Sequence, residues 1–324
     1  MKPGICRAVA LWIACLPLAA AAQSPVDPVD SSGTASEPDI KVGSLAYVSG
    51  FDGLFRLDLS NGAATAVGTG YGFAGGAAIA DMEGLAFAPD GTLFGVADSP
   101  RPALYRVSTA SGRATLVAQF RENAQLIDNN GPLNAAIAFS CSGKLLMASR
   151  VQDRLWQVDP ATASVTAIGP LEQDLGGLAA LGTTIYALGV AGSEGVFDVT
   201  EASAALTRLP SGLASRTIPV GSIAFQPDGR LFALLDLYPA ARPSVAELSP
   251  TTGAVLSELP LTGPQFTASS QTPVRAIAIA PPVCAPLVGP GVTASIPTLD
   301  PRGLLLLIAL LGLSVFALRS RLTA

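Results

Sequence analysis

The chain has 324 residues, a formal net charge of -5 at pH 7, only 13% charged residues and no histidine. Without histidine the chain cannot form a Ser-His-Asp triad, a Cys-His catalytic pair or a histidine-ligated zinc site. A mildly acidic chain with few lysines is also unsuited to nucleic acid, which is bound by clustered lysine and arginine side chains.

The N-terminal stretch, residues 1–22, is typical of a secretory signal peptide. Positive charges come first, an apolar core follows over residues 8–19, and three alanines precede the expected cleavage site. The apolar run is short for a membrane anchor, so we expect cleavage between Ala22 and Gln23.

The next segment, residues 23–39, combines proline, serine and acidic residues without apolar periodicity. Such a composition buries too little apolar surface to offset the entropy lost on ordering. We therefore predict a disordered leader at these residues.

Residues 40–282 are organised by two recurrent β-hairpin patterns. The first is a strand, a short polar turn and a second strand, as at residues 84–96. Further copies cover residues 136–148, 177–187 and 222–234, and a truncated copy covers 276–280.

The second hairpin pattern starts with a strand that alternates apolar and polar residues. Its five copies begin at Leu54, Leu104, Leu155, Val196 and Val245. Two hairpins make the four strands of one propeller blade, and spacings of this size are those of a blade repeat. The sequence therefore predicts an all-β fold, a single five-bladed β-propeller.

The first copy lacks an inner strand at its own beginning. We expect residues 274–280 to supply it from the C-terminal end, because pairing the last strand with the first blade leaves no exposed edge in the ring.

The inner strands share a large residue followed by an alanine. Because successive side chains point to opposite faces of a sheet, we expect the large residue of one blade to pack against the alanine of its neighbour. The pairs are Leu85 and Ala86, Ile137 and Ala138, Leu178 and Ala179, Ile223 and Ala224, and Ile277 and Ala278.

Two cysteines, Cys141 and Cys284, remain once the signal peptide is removed. In an exported chain two cysteines can form a disulfide. The repeat register places them in non-neighbouring blades, which argues against that bond, and the sequence leaves both the paired and the free state open.

The C-terminal region is a Pro/Gly-rich linker at residues 283–299 followed by an apolar segment and basic tail at 300–324. The uncharged stretch 303–318 is bounded by arginines that can snorkel to the interfaces of a membrane. We predict a transmembrane helix whose basic C-terminus is cytoplasmic.

Ahead of this helix stands the motif Ile296, Pro297, Thr298 and Leu299, with Gly303 at the start of the apolar span. Together with the basic tail it resembles an IPTL-CTERM sorting signal, a relative of the PEP-CTERM signals of Gram-negative bacteria. The resemblance implies export, anchoring in the inner membrane, processing by an exosortase-type sorting peptidase and release to the cell surface. The chain has Arg302 where the family pattern has tryptophan.

At the channel mouth, the positions just before the inner strands include Glu83 and Arg275. The stretch 81–86 is similar to the Glu-Gly start of calcium-dependent lactonase and phytase-like propellers, in which the glutamate is a metal ligand. Calcium needs about 6–8 oxygen ligands, and only one of the five mouth positions is acidic. We therefore favour an ion pair between Glu83 and Arg275, and we expect no metal and no cofactor.

The loops between blades supply three further ligand-binding candidates. Tyr71 and Phe73 lie in a glycine-rich loop and are either exposed for a glycan or protein partner or packed on the blade. Asp128 lies in a polar loop tip.

From these features we expect a non-catalytic binding or structural module at the cell surface, with a surface polysaccharide or protein as partner. The alternative is a calcium-dependent lactonase or phytase-like hydrolase that uses Glu83.

Overall fold

A computed structural model describes residues 45–127, 131–210, 213, 215–237, 242–266 and 273–284. These residues form 24 β-strands, most of them in five four-stranded antiparallel sheets, which confirms the predicted five-bladed propeller. Within these ranges no helix has the length and apolar character that a membrane span requires. The predicted signal peptide, leader, sorting motif and transmembrane helix lie outside the described residues.

The blades follow one another along the chain, and within each blade the strands run in order from the channel outward. Blade 1 consists of β24 (Val274–Ala278), β1 (Leu45–Gly50), β2 (Leu54–Asp58) and β3 (Ala64–Val67). Blade 2 consists of β6 (Ala80–Phe87), β7 (Leu93–Ser99), β8 (Ala103–Val107) and β9 (Ala114–Gln119). Blade 3 consists of β12 (Ala135–Phe139), β13 (Leu145–Ser149), β14 (Arg154–Val158) and β15 (Val165–Pro170). Blade 4 consists of β16 (Leu175–Leu181), β17 (Thr184–Gly189), β18 (Gly195–Val199) and β19 (Leu206–Arg208). Blade 5 consists of β20 (Val220–Phe225), β21 (Leu231–Asp236), β22 (Ser244–Leu248) and β23 (Val255–Pro260).

The ring is closed by β24, the last of these strands in the chain. It pairs antiparallel with β1, so that Ala278 lies opposite Tyr47 and Ile277 lies opposite Val48. The predicted closure is therefore confirmed, and the inner edge of blade 1 is covered by a strand from the far end of the chain.

The inner strands pack against one another as their sequence pattern predicts. Ile277 of blade 1 lies in one buried cluster with Ala224 of blade 5. Leu178 of blade 4 shares a cluster with Ala138 of blade 3. At the other three interfaces, too, the large residue of one blade shares a buried cluster with the alanine of its neighbour.

One inner-strand glycine is required by close contact between two blades. A Cβ atom added to Gly177 would lie 2.5 Å from both Ser222 Cα and the backbone nitrogen of Ile223. Backbone atoms at that distance cannot make room without moving a whole strand. The glycine therefore sets how closely blade 4 approaches blade 5.

Two small hairpins extend the loops between blades. β4 (Phe73–Ala74) pairs with β5 (Ala77–Ala78) before blade 2, and β10 (Arg121–Glu122) pairs with β11 (Gln125–Leu126) before blade 3. They lie at the end of the ring where the inner strands begin, which we call the mouth face.

Beyond β24 the chain crosses the opposite end of the channel, and we call residues 279–284 the strap. Pro281 and Pro282 line the narrow lower channel, and Val283 forms a parallel bridge with Leu181 of blade 4. In a ring of five, blades 3 and 4 lie opposite blade 1, so the strap must pass across the opening. Val283 and Cys284, which were predicted to belong to the linker, are thus held against the propeller.

The strap ends in a disulfide between Cys284 and Cys141. The repeat register argued against this bond, and that inference was wrong because Cys284 does not lie in a blade. The strap carries Cys284 across the channel to the β12–β13 turn, where Cys141 lies.

Candidate functional site

Three carboxylates converge at the channel mouth of blade 2. Asp81 and Glu83 come from β6 and Asp98 from β7, and one oxygen of each lies within 4.8 Å of the others. We call these three residues the mouth acids. The expectation of a single acid at the mouth was wrong, because it considered only the residue just before each inner strand.

Local backbone irregularity brings the mouth acids together. The β6–β7 pairing slips between Met82 and Gly84, so Glu83 is the extra residue of a β-bulge. Asp81 has a left-handed backbone with φ of 58°, which aspartate tolerates better than most residues. Its amide donates a hydrogen bond of 2.6 Å to the carbonyl of Phe51 in the neighbouring blade.

Arg275 is the cation that faces the mouth acids. Its Nε lies 2.9 Å from Asp81 Oδ1 and 3.1 Å from Glu83 Oε1. The predicted pairing of Glu83 with Arg275 is therefore present, and Asp81 adds a second acidic partner that the sequence did not indicate. Because Arg275 lies on β24, these contacts also fasten the closing strand to blade 2.

Two other blades hold the same strand through polar contacts. The amide of Ala276 donates a hydrogen bond of 2.8 Å to Ser49 Oγ of blade 1. The amide of Val274 donates one of 3.3 Å to Asp236 Oδ2 of blade 5. The mouth is thus the place where blades 1, 2 and 5 are joined.

Asp98 of blade 2 and Asp236 of blade 5 occupy the same position in the repeat. Asp98 accepts hydrogen bonds from the amides of Leu133 and Asn134, at 3.0 and 2.8 Å, just before blade 3 begins. Each of these aspartates therefore binds the backbone that leads into the next blade. Burial raises the pKa of Asp98, while these two amide hydrogen bonds act in the opposite direction.

Glu83 is the most perturbed of the mouth acids, with only 7% of its surface exposed. Burial is the main cause that raises its pKa from 4.5 to about 8; Asp81 and Asp98 act in the same direction, and Arg275 opposes them. A hydrogen bond shared with Asp81 also favours a proton on Glu83. The raised pKa favours the protonated form of Glu83 near neutral pH, so its contact with Arg275 is then a hydrogen bond and not the ion pair that the sequence predicted.

The mouth acids do not fit a calcium ion as they stand. Calcium takes about 6–8 oxygen ligands and favours ionised carboxylates. Here Asp81 and Glu83 bind a guanidinium, Glu83 holds a proton, and both oxygens of Asp98 accept backbone amides. A cation would have to displace both Arg275 and the Glu83 proton.

The three ligand-binding candidates from the inter-blade loops differ in exposure. Tyr71 is completely buried, and its hydroxyl donates a hydrogen bond of 2.8 Å to the carbonyl of Gly53. Of the two alternatives for Tyr71, the structure therefore shows packing on the blade, where this side chain anchors the β1–β2 turn. Phe73 is 73% exposed on the β4–β5 hairpin, and Asp128 lies outside the described residues.

No family model matches the chain, and no curated protein matches it. Solved structures do resemble it. A chain of a nidogen–laminin complex aligns with 74% of this chain and 99% of its own, at 13% identity and a TM-score of 0.46. TolB from Acinetobacter baumannii aligns with 74% of this chain and 55% of its own, at 18% identity and a TM-score of 0.38. Virginiamycin B lyase from Staphylococcus aureus aligns with 68% of this chain and 71% of its own, at 11% identity and a TM-score of 0.39. At these values the likenesses carry no argument about activity.

Proposed function

We propose that this protein is an exported, surface-sorted β-propeller that serves as a non-catalytic binding or structural module. The observation that carries the non-catalytic part is the position of Arg275, whose guanidinium lies against Asp81 and Glu83. General acid–base catalysis needs a carboxyl group free to reach a substrate. Here the three carboxyl groups are engaged with Arg275 and with backbone amides.

The Cys141–Cys284 disulfide supports the proposal of export. Disulfides persist in the periplasm and at cell surfaces and are rare in the reducing cytoplasm. The bond fixes the chain at Cys284 to blade 3 ahead of the proposed sorting motif at residues 296–299, so the motif follows a closed propeller in the sequence. We propose that residues 285–324 then lead to the inner membrane and to a sorting peptidase.

Export is tested by fractionating cells that express the full chain and alkylating free thiols before mass spectrometry. We expect a periplasmic or surface protein that begins at Gln23 and in which both cysteines are protected until a reductant is added. A cytoplasmic protein with alkylated Cys141 and Cys284 would refute export.

The convergence of three carboxylates favours one alternative, a calcium-dependent hydrolase. The two functions are separated by calorimetric titration of the purified protein with calcium and by assays on lactones and phosphoesters. For a binding module we expect neither stoichiometric calcium binding nor turnover. Tight binding of one calcium ion that Glu83→Gln abolishes, together with turnover, would replace our proposal with the hydrolase.

A further inference from the structure

The mouth face contains a second polar feature, a pocket above blade 3 that is separate from the mouth acids. Its polar lining comes from Glu122 and Gln125 of the β10–β11 hairpin and from Gln152, Arg154 and Trp156 of blade 3. Leu126 and Ile127 of the hairpin segment add an apolar part, and the volume is about 220 Å³. We call it the blade 3 pocket. It is smaller than the roughly 300–1,000 Å³ of pockets for drug-sized ligands, so it suits one ring-sized unit.

The chain builds the blade 3 pocket with fixed elements on both sides. Phe120 and Ile127, at the two ends of the hairpin, are buried in the same core cluster as Trp156. The amide of Arg121 donates a hydrogen bond to the carbonyl of Ala163, and Glu122 Oε1 accepts one from the amide of Ala167. The hairpin is therefore held against blade 3 by both its core and its edge.

The polar groups of the blade 3 pocket have unused hydrogen-bonding capacity. Trp156 is only 2% exposed, yet its indole N–H has no acceptor among the residues that the structure describes. Within the same residues, the half-buried Gln152 and the exposed Gln125 and Arg154 make no side-chain hydrogen bond or ion pair, so their polar groups face solvent and can be reached by a ligand. A buried donor without an acceptor costs about 1–3 kcal/mol. Because the indole nitrogen is closed to solvent, a ligand hydroxyl reaches it only if the pocket wall shifts slightly, whereas the side chain of Gln152 is half-buried and can be reached directly.

The chemistry of the lining selects the kind of occupant. The two glutamine amides both donate and accept hydrogen bonds, whereas the indole and the guanidinium only donate. Glu122 disfavours an anion and Arg154 disfavours a cation, because each would repel the like charge. An apolar ligand would leave all of these groups unpaired.

We infer that the blade 3 pocket binds a neutral saccharide unit, whose hydroxyl groups can donate and accept at the same time. This inference rests on the proposed binding role and gives it a ligand class. The pocket lies on the face opposite the strap, so the face that binds saccharide is directed away from the point where the chain continues toward residue 285.

The test uses the folded, disulfide-bonded protein with cellotetraose, mannotetraose and chitotetraose as probes. Saturation-transfer NMR detects binding and calorimetry measures its strength. We expect wild type to bind at least one of the three, and Gln152→Ala and Trp156→Phe each to weaken that binding by about three- to tenfold.

The matched control is Gln157→Ala. Gln157 is an exposed residue next to Trp156 on β14, and it points to the opposite face of the strand. Gln157→Ala should leave saccharide binding unchanged. If Trp156→Phe does not fold, as judged by circular dichroism, the half-buried Gln152 decides the test.

Three results would overturn the inference: no saccharide bound at millimolar concentration, equal affinity in wild type and Gln152→Ala, or binding of a neutral peptide in place of the saccharides. Cell fractionation tells this failure apart from failure of the proposed function. An exported protein that binds none of the probes loses only the saccharide ligand, whereas a cytoplasmic, reduced protein loses the proposed function itself.

Discussion

Replacing Glu83 with glutamine should make the propeller more stable at alkaline pH. Glutamine has nearly the shape of a protonated glutamic acid, so it can still accept from Arg275 and donate to Asp81. It cannot ionise, and ionisation of the buried Glu83 is what burial and the neighbouring aspartates oppose.

The direction and the pH window follow from the pKa of Glu83, which rises from 4.5 in its usual state to about 8 in the fold. Below about pH 4.5 the folded and unfolded chains both hold the proton, so the stabilising contribution is fully present. As pH rises toward 8 the unfolded chain releases the proton first, and the wild type loses stability. One pKa unit corresponds to about 1.4 kcal/mol, so the loss is at most about 5 kcal/mol, and relaxation of the site should reduce it to about 2–4 kcal/mol.

The assay is urea unfolding of both proteins at several pH values, followed by the fluorescence of Trp156. Glu83→Gln should match wild type near pH 4.5 and exceed it by a growing margin up to about pH 8. Glu172→Gln is the matched control, because Glu172 is exposed on the mouth face and its carboxylate is solvated with or without the fold. A Glu83→Gln protein that is less stable than wild type at pH 9 would refute the reasoning, since it would mean that an ionised Glu83 paired with Arg275 stabilises the ring.

Three further predictions concern the closure of the ring. Cys284→Ser removes a disulfide that joins residues 143 positions apart and should lower the free energy of unfolding by about 2–4 kcal/mol; wild type in reductant should show the same loss, and an unchanged urea midpoint in both would mean that the bond does not form. Arg275→Met leaves Asp81 without its cation and should lower the free energy of unfolding by about 3–5 kcal/mol, measured by urea unfolding at pH 7. A loss below about 1 kcal/mol would mean that Arg275 does not fasten β24 to blade 2. Ala224→Leu inserts a larger side chain against Ile277 and should cost about 1–3 kcal/mol; a melting temperature equal to that of wild type would contradict the packing of blade 5 on blade 1.

Hairpin patterns, blade number and ring closure could be read from the sequence, since they depend on local alternation and on repetition. A strand that shows Ile277 on one face and Ala278 on the other carries that information wherever it is placed. The pairing of Glu83 with Arg275 could also be predicted, because adjacent blades bring the starts of their inner strands together.

Only the tertiary structure revealed the features that depend on breaks in the repeat, namely the three mouth acids and the disulfide. Asp81 and Asp98 join Glu83 only because β6 carries a bulge and β7 ends beside it, and no periodic pattern encodes that displacement. The Cys141–Cys284 bond depends on a strap that leaves the ring and crosses the channel.

The exposure of the aromatic side chains in the loops was also decided by the tertiary structure. An aromatic residue in a glycine-rich loop has the same local sequence whether it faces solvent or the core, and here Tyr71 is buried while Phe73 is exposed. The sequence by itself determined the repeated strands and their faces, because alternation along a strand is a local property. Which polar side chains meet, and which lose their water, is set by distances between segments far apart in the chain, and only the closed ring fixes those distances.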